Sequence, residues 1–321
     1  MKRWLVPALV LALLLAAGLS LFAGKVWIAP SAFTPADPLW PIIVELRLPR
    51  TALALLIGGG LGLAGAAMQG YLRNPLADPG LFGVSAGAAL GAVLAIFFGL
   101  SASPGVLSGF ALIGAAAAMA LLSVIAGQGG SIIVFTLGGV VISSLAGALT
   151  ALAISLAPTP FATGQIVNWL MGALTDRSWN DVVVAAPLML LGAGFIAAAA
   201  RSLDALTLGE TAARSLGVNP GRLQWQIIAG VGLIVGASVA AAGIIGFVGL
   251  IVPHLVRPFT SAKPSAVMLP AALAGALLLT VADAGVRAAP TVSELRLGIA
   301  MSLLGSPFFL ALLLRLRRRL A

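Results

Sequence analysis

The stretch RSLDALTLGETAARSLGVNPGR, residues 201–222, is a polar island with long apolar runs on both sides. It carries five charges, Arg201, Asp204, Glu210, Arg214 and Arg222, with little Gly/Pro punctuation before Gly217. That pattern predicts two short surface helices rather than a slack linker. Leu203, Leu206 and Leu208 would give the first an apolar side, and Ala212, Ala213 and Leu216 the second. Gly217 suits a helix C-cap, because a residue without a Cβ takes the left-handed conformation without steric cost. Asn219–Pro220 suits a helix start, with Asn as N-cap and Pro at the first helical position, where its missing N–H costs nothing. A folded polar element between two apolar runs is either a solvated connector or a surface that touches another protein.

The flanks decide the fold class. The 321-residue chain is 60% hydrophobic and 8% charged, against about 25% charged in soluble domains. Its apolar runs are continuous, whereas the spans of a membrane β-barrel alternate. An all-α polytopic membrane protein is therefore predicted. Ten spans fit, near 4–23, 51–71, 82–100, 104–126, 131–157, 181–200, 223–242, 246–261, 267–286 and 297–314. Each can cross a hydrocarbon core of about 30 Å, the eighth near the lower limit. The N-terminus, MKRWLVPALVLALLLAAGLSLFAG, has the basic start and apolar core of a signal peptide, but its apolar run of about 20 residues is long enough to stay as a first helix. There is no cysteine, which excludes disulfides and thiolate metal sites.

Ten spans put both termini on one side, and the basic residues choose it. Lys2, Arg3, Arg73, Arg201, Arg214, Arg222, Arg257, Lys263, Arg315, Arg317, Arg318 and Arg319 share that side with Asp78, Asp204 and Glu210. The other side holds Lys25, Arg47, Arg50, Arg177, Arg287 and Arg296 against six acids. The positive-inside rule places both termini and the island in the cytoplasm. The net charge of +9 thus reflects membrane orientation and no nucleic-acid partner.

Within the spans, small residues recur at every fourth position: Ala54, Gly58, Gly62, Ala66 and Gly70, then Gly83, Gly87 and Gly91. Such stripes let helix backbones approach closely in lipid. Gly60, Gly62 and Gly65 also fit GxGxxG, but a dinucleotide site needs a strand before the motif, so the cofactor reading is rejected. The run GIIGFVGLIVPHLVRP breaks the eighth span with Gly243, Gly246, Gly249 and Pro253, tolerable where protein or a cavity satisfies the freed backbone groups.

Several chemistries have no residues to carry them. No GxxxxGK[ST] loop is present, so ATP is not bound that way. HExxH, Cys/His clusters and a nucleophile elbow are absent, and no catalytic or metal site is assigned. The single histidine, His254, is read as a packed helix residue in preference to a haem or metal ligand. Ion-coupled carriers use buried acids or bases as relays; Asp283 comes nearest and lies close to a span end. An energy source outside the chain is favoured over an ion-coupled secondary carrier, and a membrane scaffold without transport is the third reading.

RLPRTALALLIGGGLGLAGAAMQGYLRNPLADPGLFGVSAGA, residues 47–88, resembles the signature of the FecCD family, the permeases of type II ABC importers for ferric siderophores, haem and cobalamin. GFVGLIVPHLVR (246–257) and LGSPFFLALLL (304–314) match as well, in an order and spacing that cover nearly the whole chain as a single permease domain, 1–321. RNPLADPG is specific. SELRLG at 293–298 departs from the family's ELPLG-like run, with Arg296 in place of proline.

The resemblance implies an inner-membrane homodimer served by two cytoplasmic ATPase subunits, which bind ATP and Mg, and by a periplasmic substrate-binding protein. It implies that the island docks on the ATPase through Leu208, Gly209, Glu210, Ala213, Arg214, Leu216 and Gly217. Arg47, Arg50 and Arg287 resemble the basic residues that receive acidic side chains from the binding protein; the alternative is interfacial snorkelling. The fifth and tenth spans would line the path. Residues 166–174 resemble a short periplasmic interfacial helix beside its mouth, where Trp169 and Trp179 suit interface anchoring. Arg177, with Trp169 and Met171, is the candidate substrate entrance, since haem propionates would meet a basic group favourably. Haem ranks first as cargo, a ferric siderophore second and cobalamin third.

Overall fold

The computed structural model describes residues 4–102, 105–127, 131–261, 263–291 and 293–320. The side chains of Leu81, Arg315, Leu316, Arg318, Arg319 and Leu320 lie outside the described set. So do Lys2 and Arg3, and with them part of the basic excess assigned to one side.

The described helices are α1 (Leu5–Phe22), α2 (Leu48–Tyr71), α3 (Val84–Phe97), α4 (Val106–Ala126), α5 (Ile132–Ser155), α6 (Pro160–Leu170), α7 (Trp179–Leu206), α8 (Glu210–Ser215), α9 (Pro220–Ala242), α10 (Val248–Val256), α11 (Pro264–Ala288) and α12 (Leu297–Leu320), and all but α6 and α8 follow the apolar runs. Each expected span falls on a helix, yet among the described residues eight helices are long and apolar enough to cross a membrane. The third and eighth spans are shorter than expected. α3 has 14 residues and α10 has 9, roughly 21 and 14 Å at 1.5 Å per residue.

The shortening has local causes. Before α3, Asp78 accepts a hydrogen bond from the Gly80 amide and caps a 3₁₀ turn, Pro79–Phe82, which Gly83 at φ 75° separates from the helix. Before α10, residues 243–247 are not helical, with Gly243 at φ 71° and Phe247 at φ 68°. Pro253 lies inside α10, which ends in a second 3₁₀ turn, Arg257–Phe259. At α2 the winding starts early. Pro49 has no N–H to give Glu45, and the preceding turn, Ile42–Arg47, is π-helical, with the Leu48 amide donating to Ile43.

α2 and α9 form the centre, and most residues of α9 from Leu223 to Ala242 are buried. α1, α5 and α12 turn leucine, valine and isoleucine side chains outward, such as Leu14, Leu137 and Leu303, and so leave apolar faces uncovered by the rest of the chain.

The small-residue stripes find partners. α2 packs on α11, where a Cβ at Gly58 would collide with the Gly275 carbonyl and one at Gly62 with the Ala271 carbonyl. α3 packs on α4 in the same way, Gly87 and Gly114 each facing the other's backbone and Gly91 facing the Phe110 carbonyl. Gly60 and Gly65, part of the apparent GxGxxG, meet Met189 and Gly249 instead of a nucleotide. Gly62→Leu is expected to lower the Tm of the solubilised protein by about 2–5 °C, from roughly 1–3 kcal/mol of overpacking. Gly18→Leu, whose new Cβ meets nothing within 4 Å, should leave it unchanged; scanning fluorimetry reads both.

Candidate transport and docking sites

Polar contacts gather at the two ends of the bundle. At the island's end, Arg73 pairs with Glu210 at 3.3 Å. Asp204 accepts from the Ser265 amide at 2.9 Å and hydroxyl at 2.6 Å, capping α11. Gln224 donates to the Gly127 carbonyl at 3.1 Å, and Trp4 stands edge-on to Phe259. At the opposite end, Trp179 donates to the Val44 carbonyl at 3.0 Å and Arg296 to Asn168 at 3.2 Å.

The island is built differently from the sequence reading. Its first half is no separate helix: α7 runs unbroken through Leu206. Its 28 residues span about 42 Å, more than the roughly 30 Å of a hydrocarbon core, so the last turns project as a rigid post. Leu203 and Leu206 are buried, but Leu208 is not on their side. The second helix is α8, with Ala213 buried beneath it and Glu210 and Arg214 exposed. Leu216 also departs from its expected place, facing outward instead of joining Ala213. Leu208 and Leu216 are 67% and 64% exposed, two leucines held in water at either end of α8.

Glycines fix that presentation. Gly209 precedes α8 at φ 100°, and Gly217 follows it at φ 84°. The Gly217 amide donates to the Arg214 carbonyl and the Val218 amide to Ala213, closing the paired C-cap that a left-handed glycine allows. Asn219 accepts from the Arg222 amide at 3.0 Å and caps α9 as read from sequence.

At the opposite end the three arginines converge, but each already has partners within the chain. Arg287 donates to the Ser20 and Ala23 carbonyls, both at 3.0 Å, and to the Ser20 hydroxyl at 2.6 Å. Arg47 donates to the Leu21 carbonyl at 2.8 Å and to Val26 at 2.7 Å. Both cations thus settle on the C-terminus of α1, where unpaired carbonyls and the helix dipole concentrate negative charge. Arg50 donates to Asp283 through Nε at 3.0 Å and Nη2 at 2.8 Å, and also to Glu294. Asp283, 0% exposed, lies 3.1 Å from Arg287 as well. Burial pushes the Glu294 carboxyl up, but the Arg50 hydrogen bond and charge, with Thr175 and Arg287, hold it below the usual carboxylate range.

Two adjoining cavities open here. One, about 480 Å³, is lined by Lys25, Arg47, Arg50, Arg177, Arg287 and Glu294. The next, about 600 Å³, is lined by Gln165, Asn168, Trp169, Thr175, Arg177 and Arg296. Arg177 and Thr175 border both. Arg177 pairs with Asp181 at 3.7 Å while its Nε has no acceptor. Met171 does not join Trp169 and Arg177. It lines a third cavity of about 620 Å³ with Ile244, Phe247, Gly298, Ser302 and Pro307. Between them Gly172, Gly243 and Gly298 bring three backbone segments into contact; Gly298 donates to the Gly172 carbonyl at 3.0 Å, and Ala173 to Ala242 at 2.8 Å. The expected helix at 166–174 is α6, which starts six residues earlier and ends four earlier, because Thr159 caps it at Ala162 and Gly172 at φ 66° follows its end.

His254 stands edge-on to Phe308 of α12, 5.9 Å between rings. Among the described residues no group of three His, Cys, Asp or Glu could hold a metal. Sequence reasoning missed Asp283 and Glu294 as partners of the arginines. The i, i+4 spacing of Asp283 and Arg287 on one apolar helix was the available signal.

A multi-span helical protein with a solvent-exposed apolar platform at one end and basic cavities at the other has the form of a membrane transport subunit. The chain belongs to the FecCD transport family, whose match covers residues 10–315. It is similar to the uncharacterized ABC transporter permease protein YvrB of Bacillus subtilis, 38% identical over 297 residues that cover 88% of this chain and 81% of the relative. It is 37% identical to the vitamin B12 import system permease protein BtuC of Citrobacter koseri over 318 residues, 98% of this chain and 95% of the relative. A solved structure described as an inward-facing metal-chelate type ABC transporter superposes with a TM-score of 0.89 at 32% identity, covering 97% of this chain and 98% of the other. The protein is an ABC importer permease.

Asp283→Ala leaves Arg50 and Arg287 buried without their shared counterion. A loss of about 3–5 kcal/mol is expected, the usual cost of breaking a buried pair. Glu294→Ala, at the half-open rim, should cost clearly less; chemical denaturation in detergent compares the two.

Proposed function

We propose that this permease carries haem inward across the bacterial inner membrane, as a homodimer driven by two cytoplasmic P-loop ATPase subunits and supplied by a periplasmic binding protein. The observation that carries the cargo reading is the 600 Å³ cavity bordered by Trp169, Arg177 and Arg296. Its size lies within the range of small-molecule sites. Two cations beside an aromatic wall suit a flat apolar ring with two carboxylates. Arg296 stands where the family resemblance leads one to expect proline, so the second cation is a feature of this chain.

In this reading all ten helices that match the expected spans belong to the membrane domain, 1–321, with α3 and α10 as half-length members, and both termini and the island lie in the cytoplasm. α8 is the coupling helix. Leu208 and Leu216 would seat in an apolar groove of the ATPase, with Glu210 and Arg214 setting register at the rim. Arg47, Arg50 and Arg287 receive acidic side chains of the binding protein. α5 and α12 line the path, and the cavity at Met171 lies along it. An ion-coupled carrier is less well supported, because Asp283, the acid nearest to a relay position, is already engaged by two arginines, Arg50 and Arg287.

Cobalamin is the second cargo reading, favoured by relatives such as BtuC of Citrobacter koseri. ATP-driven uptake of haem, cyanocobalamin and a ferric siderophore into proteoliposomes holding the whole transporter separates them. Haem accumulation should dominate, and Arg177→Ala should reduce it about tenfold, the scale of about 1.4 kcal/mol; uptake of cyanocobalamin alone would overturn the cargo reading. Gly209→Pro or Leu216→Asp should abolish ATP-coupled uptake without preventing membrane insertion. Normal uptake by either well-expressed variant removes α8 from coupling.

A further inference from the structure

The three arginines assigned to docking already hold partners inside the chain, so an acidic group arriving at Arg50 has to displace something. The network shows which partner can leave. Asp283 cannot. It is fully buried in α11, pairs with Arg50 at 2.8 Å and Arg287 at 3.1 Å, and its departure would strand two buried cations. The carbonyls that hold Arg287, and that of Leu21 on Arg47, belong to the end of α1 and are fixed by its backbone; Val26, the other acceptor of Arg47, follows the helix and carries no charge to exchange. Glu294 differs on each count. Its side chain is 22% exposed. It sits in the segment between α11 and α12, outside both helices. Besides the Arg50 pair, it accepts a weak 3.3 Å hydrogen bond from the Thr175 hydroxyl.

Charge balance points the same way. Arg50 and Arg287 share one carboxylate in Asp283, which leaves one positive charge over. Glu294 neutralises that excess from the rim of the 480 Å³ cavity, beside Lys25, Arg47 and Arg177. A carboxylate entering the cavity from a partner meets the same guanidinium in the same geometry.

We propose that Glu294 is an internal stand-in for the acidic side chain of the docking partner, and that competition between the two sets the affinity of the permease for that partner. This rests on the docking reading given above. Exchange of one carboxylate for another leaves the number of ion pairs on Arg50 unchanged. The permease therefore never holds an unpaired buried cation, either before docking or after. The exchange also frees a segment that leads directly into α12: Leu297 opens that helix three residues later, and Gly298 lies against Met171 and Ile244 on the third cavity. Thr175, the other partner of Glu294, borders both basic cavities. Docking is thus registered at the first turn of α12 and at the substrate cavity together.

The test measures binding of the purified periplasmic binding protein of the same transport system to the permease–ATPase complex in nanodiscs, for wild type, Glu294→Gln, Glu294→Ala and the rim variant Arg47→Glu. Removal of the competing charge should tighten Kd about tenfold in both Glu294 variants, equal to about 1.4 kcal/mol, while their Tm falls or stays level. The gain should shrink at 1 M salt, where the Debye length drops to about 3 Å. Arg47→Glu should weaken binding. If Arg47→Glu weakens binding while neither Glu294 variant tightens it, Glu294 is a structural pair and the inference fails alone. If Arg47→Glu and both Glu294 variants leave Kd unchanged, the docking reading itself fails.

Discussion

The close approach of α2 and α11 sets the rest of this molecule. In lipid, helices gain little from hiding apolar side chains, since the solvent is equally apolar; van der Waals contact between closely packed backbones takes over. Gly58 and Gly62 on α2 and Ala271 and Gly275 on α11 allow that contact. Both helices run the depth of the bundle, so the seam holds two polar clusters in fixed relation. At one end it sets Arg50 against Asp283 and Arg287. At the other it brings Gln69 to Arg257 at 2.7 Å, and Ser265 to Asp204. The charged groups do not drive the packing. They are placed by it, and the low dielectric then makes each pairing obligatory.

Against this seam stands a part of the structure with weaker regular bonding. Residues 243–247 and 171–178 are not helical, and α10 is interrupted by Pro253. Here contacts run backbone to backbone through Gly172, Gly243 and Gly298, and Phe247 holds a left-handed conformation that costs a bulky residue energy. Irregular backbone at membrane depth survives only where protein or a cavity satisfies it. The three cavities lined by Arg50, by Arg296 and by Met171 border these segments or the start of α12.

Most of the fold was legible because membrane helices declare themselves by length and apolarity, and the stripes at Gly58/Gly62 and Gly87/Gly91 marked the tight interfaces. The partners of those stripes were not legible, since nothing in α2 alone says that Gly275 faces it. Span lengths failed at α3 and α10, where Gly83 and Phe247 stop the helix inside a run that stays apolar; hydropathy registers solvent, not winding. The island's caps at Gly217 and Asn219 were readable as local chemistry. The orientation of Leu216 was not: helical spacing placed it beside Ala213, but as C-cap residue it lies past the last helical turn and turns outward. The arginines were found by type and position. Their saturation by Ser20, Asp283 and Glu294 was hidden, because it joins residues up to 267 positions apart.

That saturation changes what a basic rim means. An exposed arginine cluster would attract any anion, including lipid phosphate, and would carry the full cost of its own repulsion. Here the end of α1 holds Arg47 and Arg287 with carbonyl dipoles, and Asp283 with Glu294 balances the formal charge of Arg50 and Arg287. Dipoles of a fixed helix cannot be exchanged, whereas a carboxylate on a flexible segment can. The chain thus separates the cations that hold its architecture from the one contact open to competition. Under the docking proposal, a partner that offered a carboxylate in the right place would replace Glu294 with little change in electrostatic energy, while a neutral surface would leave Arg50 with the partner it already has. Selectivity toward acidic partners would then come from what must be displaced as much as from what attracts.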